Sequence, residues 1–284
     1  MQIDYRRRWA GVRRALRDAD ADAFIAVGAG NTRWLASSES PPGSPPSSTL
    51  NYVFVPQRGA PIGITSSLEG HRCRKEAGVR DLRLWSGYPD VGAEFASAKA
   101  ALKALLEERE VGSVLSDVAL RLQRGVAVER STAVRDLRAR KAPDEQERIR
   151  VAVRHADAGQ RFARELCEVG AGLTEFEVAA EIDYFLRRRG VQETSFTTIV
   201  ASGPNAAFSH HSPGRRRLRN GDPVICDFGV FWKGYCSVIT RTYFVGSSPA
   251  PKWRRRYAMV LEANQRSQNA LRHGAVAQDV DGAG

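Results

Sequence analysis

The chain has 284 residues, 42% of them hydrophobic and 26% charged, and a net charge of +11 carried mostly by arginine. This composition fits a globular protein with room for two cores, and no apolar run approaches the roughly 18 residues that cross a bilayer. The basic N-terminus is not followed by the apolar stretch of roughly 7–15 residues of a signal peptide, so a cytoplasmic location is expected and a membrane role is not.

The first element is a helix in "YRRRWAGVRRALRDADADA", where Trp9, Val12, Leu16 and Ala19 recur at helical spacing. "AFIAVG" reads as a short strand running into "GAGNTRWLA". The proline- and serine-rich "SSESPPGSPPSS" is a loop. "NYVFVP" and "APIGITS" read as two strands joined at "QRG", "GAEFASAKAALKALLEERE" as a helix, and "VGSVLSD" as a further strand. Alternating strands and helices predict an α/β first domain with a substantially parallel sheet.

The composition shifts at "VRDLRARKAPDEQERIR", where Pro143, Asp144 and Glu145 suit the first turn of a helix. The boundary is placed there, giving domains 1–140 and 141–284. Thr174 and Glu177 form a capping box for a second helix, closed by Arg187–Arg189 and Gly190. The β-rich segments "TSFTTIVASG", "DPVICDFGVF" and "YCSVITRTYFVG" follow, then the helix "KWRRRYAMVLEANQRSQNALRHG" and the tail "AVAQDVDGAG". The second segment is thus α+β.

Four cysteines, Cys73, Cys167, Cys226 and Cys236, show no CxxC spacing and are expected as free thiols. Cys226 and Cys236 lie on two arms of one hairpin and are read as small fillers near each other. Arginine clusters at 6–8, 187–189, 215–217 and 254–256 lack interleaved aromatic residues, so they read as solvated surface and nucleic acid is not an expected partner.

Chemistry points to two places. A turn centred near Trp232–Lys233 sets Asp227 opposite Val238, to within a residue or two. A carboxylate inside an apolar strand needs a hydrogen-bond network, a base or a metal. Two carboxylates facing across a hairpin would clamp a hard cation, but here there is one. Upstream, His210 and His211 sit in a Pro/Ser/Gly-flanked loop, a setting that lets side chains face a cleft.

"IVASGPNAAFSHHSP", "NGDPVICDFGVFWKGYCS" and "ITRTYFVG" together resemble the pita-bread metallopeptidase family, and most of all its Xaa-Pro-cleaving branch of prolidase and aminopeptidase P. "NTRWLASSES" and "YVFVPQRGAPI" resemble the N-terminal domain of creatinase, prolidase and aminopeptidase P. The resemblance implies a creatinase-like α/β domain over 1–140 and about the first half of an α+β pita-bread domain over 141–284. It implies hydrolysis of peptide bonds before proline, two divalent ions (Mn, Co or Zn), proline-containing peptides as partners, and a homodimer.

The family's ions are held by two aspartates, a histidine and two glutamates, and share a bridging water. By resemblance Asp227 takes the place of the first aspartate, and His210 that of the loop histidine that positions substrate. The place of the second aspartate, eleven residues after Asp227, holds Val238. The remaining three ligands lie further along in family members than Gly284. The expectation is therefore a C-terminally truncated member, inactive as this chain and doubtful as a metal binder. The alternative is a non-catalytic binding protein with a degenerate pita-bread fold and a basic surface.

Overall fold

The computed structural model describes residues 3–36, 50–88, 93–246 and 249–284. The chain divides into two compact units, Met1–Ala152 with Phe231–Cys236, and Val153–Val230 with Ser237–Gly284. The expected Pro/Ser-rich loop at 37–48 lies outside the described residues.

In the first unit, helix α1 (Tyr5–Asp18) starts where the Asp4 carboxylate accepts the Arg7 amide at 3.0 Å, a side-chain N-cap. Its Val12 and Leu16 are fully buried, as their spacing requires. Then follow β1 (Ala23–Ala26), α2 (Ala29–Ala36), β2 (Tyr52–Pro56), β3 (Ile62–Ser66), α3 (Ser67–Glu76), β4 (Asp81–Trp85), α4 (Ala98–Glu108), β5 (Ser113–Ser116), β6 (Ala127–Arg130) and α5 (Ala133–Ala139).

The six strands form one sheet in the order β4-β3-β2-β1-β5-β6. The β1–β5, β3–β4 and β5–β6 pairs are parallel. The sheet is less uniformly parallel than expected because β2 pairs antiparallel with both β1 and β3. Strand alternation sends neighbouring side chains to opposite faces. Phe24 and Val55 join Val12, Leu16 and Leu35 in one core, whereas Ile25 and Phe54 join Ile62, Leu102 and Leu105 in the other.

The arginine cluster at 6–8 is not all solvated surface: Arg8 is 5% exposed. Its guanidinium donates to Trp34 O at 2.5 Å and to the Tyr235 hydroxyl at 3.0 Å, and lies 3.6 Å from Glu145. Glu145 in turn accepts from Trp34 Nε1 at 2.9 Å and from Tyr235 Oη at 2.8 Å. A buried cation is tolerated when it is paired and hydrogen-bonded, and this one is. Burial pushes the Tyr235 phenol up; burial acts to raise the Glu145 carboxyl too, but hydrogen bonds from Ala142 and Tyr235 and the Arg8 charge hold it below its ordinary range.

Helix α6 (Pro143–Val169) opens at the expected proline. The chain continues with α7 (Glu175–Arg188), β7 (Glu193–Thr194), β8 (Ile199–Ser202), β9 (Pro223–Phe228), β10 (Val230–Trp232), β11 (Tyr235–Cys236), β12 (Ile239–Phe244), α8 (Pro251–Ala270) and α9 (Ala277–Gly282), of which the β10–β11 hairpin tip, Phe231–Cys236, belongs to the first unit. The tail includes α9. The capping box at Thr174 and Glu177 forms as read, each group satisfying the other's backbone. Strands β12, β9 and β8 make an antiparallel sheet.

Val224, Cys226 and Phe228 alternate along β9 and are fully buried. Gly159 on α6 admits the Phe228 ring, since a Cβ there would stand 2.9 Å from Phe228 Cε2. The thiols also differ from expectation. Cys226 has its Sγ 3.7 Å from that of Cys167, and Cys236 is exposed in the other unit. On its own strand pair Cys226 faces Arg241 rather than Cys236.

Candidate functional site

Asp227 lies in β9 between Ile199 of β8 and Thr240 of β12. It is half-buried rather than buried, and its Oδ1 accepts the Thr240 hydroxyl at 2.8 Å. The expected opposition to Val238 is thus corrected to Thr240. The reason is the turn. Its central residues are Lys233 (φ 46°) and Gly234 (φ 89°), both left-handed, with Trp232 facing Tyr235. A two-residue turn of this kind matches strand twist but needs positive φ twice. It sits one residue later than expected, which moves the facing position by two. Because two is the strand period, Asp227 keeps its face of the sheet. Val238 is 61% exposed, just before β12.

Alternation puts Ile225 and Asp227 on the face opposite Val224, Cys226 and Phe228. On that side lies a cavity of about 1240 Å³, lined by Ile225, Thr240 and Phe244 of the sheet and Trp253, Tyr257 and Val260 of α8. Helix α8 buries no residue, and Met259 and Val260 are 60% and 69% exposed.

His210 is exposed on the loop that follows β8. The neighbouring His211 is the histidine tied to the scaffold. Its Nε2 lies 2.8 Å from Glu175 Oε2, which also accepts the Gly214 amide at 3.1 Å. Glu175 Oε1 accepts the Ser202 amide at 2.8 Å, the Ser202 hydroxyl at 2.7 Å and Asn205 Nδ2 at 3.0 Å. The Ser202 hydroxyl in turn accepts from Arg216 Nη1, which is also 2.7 Å from Asp222 Oδ2. Glu175, the first residue of α7, is fully buried. Burial acts to raise its carboxyl, but hydrogen bonds from His211, Ser202 and Asn205 prevail and hold it below the ordinary glutamate range.

Sequence reasoning used this segment only as a helix start. The one available signal for Glu175 was an acid beside the N-cap, where the helix dipole favours it. Nothing local announces that it anchors the histidine loop.

The donor set does not fit a two-ion centre. Among the described residues no group of three or more His, Cys, Asp or Glu side chains stands together to hold an ion. Asp227 is paired with a threonine hydroxyl, and Val238, which the sequence resemblance sets at the place of the second carboxylate, has no oxygen donor in its side chain.

Residues 147–284 match the model of metallopeptidase family M24. This segment belongs to family M24. Over 148 residues the chain is 38% identical to an Xaa-Pro dipeptidase of Pyrococcus furiosus, covering 52% of this chain and 42% of that protein. It is also 38% identical to an uncharacterized peptidase of Staphylococcus haemolyticus, covering 52% of this chain and 41% of that one. The chain thus spans less than half the length of these curated relatives it matches.

A prolidase from Thermococcus sibiricus superposes with a TM-score of 0.82 at 24% identity, covering 100% of this chain and 77% of that chain. An Xaa-Pro dipeptidase from Bacillus anthracis gives 0.80 at 24% identity, covering 98% and 75%. At that identity the likeness establishes fold, a mixed α/β architecture containing a partial pita-bread fold. No described helix is long and apolar enough to cross a membrane.

Proposed function

We propose that this chain comes from the Xaa-Pro peptidase lineage of family M24 and that residues 1–284 alone do not hydrolyse peptide bonds before proline. The lineage rests on the match over 147–284 and on relatives whose names state that activity. The inactivity rests on one observation: Asp227 pairs with Thr240 where a metal-binding pair of carboxylates is needed, with Val238 at the second position. A valine offers no oxygen to a hard cation. In this reading His210 marks the substrate-positioning loop, and residues 1–140 and 141–284 are the creatinase-like domain and the first half of the pita-bread domain.

The test is incubation of the purified chain with Xaa-Pro dipeptides and longer Xaa-Pro peptides in the presence of Mn²⁺, Co²⁺ or Zn²⁺. No proline-containing product is expected. Turnover that a chelator abolishes would overturn the proposal.

A further inference from the structure

In the first unit, a second cavity of about 540 Å³ opens between α2, the segment joining α5 to α6, and the tip of the β10–β11 hairpin. Six of its lining side chains are basic, Arg8, Arg33, Arg135, Arg138, Lys141 and Lys233, and one is acidic, Glu145. Arg8 is offset by Glu145 and by Asp144 at 3.8 Å, and Arg135 by Asp136 at 3.1 Å. Arg138, Lys141 and Lys233 have no carboxylate partner among the described residues, so the cavity carries a positive excess, and like charges gathered in one recess repel unless something compensates them.

One of these cations is held in position by a relay. The Asp117 carboxylate accepts the Val27 and Gly28 amides at 2.9 and 3.0 Å and Asn31 Nδ2 at 2.7 Å. That fixes the Asn31 amide so that its Oδ1 accepts Arg138 Nη1 at 2.6 Å. Gly30 makes room, since a Cβ there would stand 3.0 Å from Arg138 Nη2. Burial, followed by the nearby Arg138, holds the Arg33 guanidinium below its usual range, against the opposing influence of Cys236. The Lys233–Gly234 turn supplies the last wall.

We propose that this cavity binds a small oxyanion of the phosphate class carrying two or more negative charges. Guanidinium groups present paired N–H donors that match phosphate oxygens, and lysines add point charge. The volume suits a small ligand. The cavity is also a recess, whereas a nucleic-acid backbone is tracked along a groove with stacking aromatics. This site is separate from Asp227 and does not depend on the peptidase reading.

The probe is inorganic pyrophosphate, titrated calorimetrically into the full chain at an ionic strength fixed with sodium chloride. A second readout uses Cys236, which lines the cavity and is the exposed one of the four thiols. Its rate of reaction with a neutral disulfide such as 4,4′-dithiodipyridine should fall as pyrophosphate saturates. Arg138→Ala should raise Kd roughly tenfold or more. The double variant Lys141→Ala/Lys233→Ala, at two exposed positions, should weaken binding as well, with circular dichroism and the melting temperature confirming that it folds. Arg255→Ala, outside the cavity, should leave it unchanged. Absence of saturation, equal protection by sodium chloride alone, or equal weakening by Arg255→Ala would each overturn the proposal.

Discussion

The Thr240 hydroxyl donates to Asp227 Oδ1 at 2.8 Å across β12 and β9. A half-buried carboxylate in a strand needs a partner, and here a neutral side chain supplies one. Asp227 is therefore satisfied without a cation. Replacing it with alanine should cost no more than about 1.5 kcal/mol, the net worth of a typical hydrogen bond. Urea unfolding with and without Mn²⁺ checks this. A larger loss that appears only with Mn²⁺ present would mean that Asp227 carries a metal.

Glu175 is the opposite case, buried and holding several donors. Glu175→Ala strands the Ser202 and Gly214 amides and should destabilise the second unit by about 3–5 kcal/mol. Glu175→Gln keeps the shape and should cost less, about 1–3 kcal/mol. Denaturant midpoints distinguish the two.

The pH dependence follows from the same carboxylate. Its folded-state pKa is depressed, so its contribution is fully present above the unfolded value of about 4.3 and is lost as pH falls through the folded value. Wild type should therefore lose more stability than Glu175→Gln between roughly pH 5 and pH 3. Parallel acid limbs would show that the charge of Glu175 contributes nothing.

The Arg8 cluster gives an asymmetric prediction. Arg8→Ala leaves Glu145 buried beside Tyr235 without its cation and should cost about 3–5 kcal/mol. Tyr235→Phe removes one hydroxyl that bridges Arg8 and Glu145 and should cost about 1–2 kcal/mol. Thermal unfolding of the two variants should rank them in that order.

Gly229 marks where the chain passes from β9 to β10. A Cβ there would fall 1.7 Å from Ser237 O, a backbone atom that cannot swing away. Gly229→Ala should destabilise by about 3 kcal/mol or more, beyond ordinary overpacking. A near-native melting temperature would show that the two segments can separate at that point.

What was legible in the sequence is what neighbours decide. Pro143 opened α6 and Thr174 with Glu177 capped α7, because those signals act within one turn. The segment "DPVICDFGVF", read as β-rich, carries β9 and β10. The register was not legible, since it hangs on Lys233 adopting a left-handed φ of 46°, uncommon for a residue with a side chain. Nor was the knot around Glu175, whose partners lie 27 to 39 residues away. Arg8 looked like its exposed neighbours because its hydroxyl partner, Tyr235, is 227 residues distant. Asp227, His210 and Val238 were singled out by position within a motif alone, whereas Glu175, which organises the histidine loop, was not singled out at all.

The most direct test of the central claim is an equilibrium Mn²⁺ titration of residues 1–284, followed by the loss of the free-ion electron paramagnetic resonance signal. With Val238 in place of a second carboxylate, no stoichiometric binding is expected up to the millimolar range typical of weak oxygen-ligand sites. Two ions bound per chain with micromolar affinity, lost on Asp227→Ala, would contradict the account and restore a metallopeptidase centre.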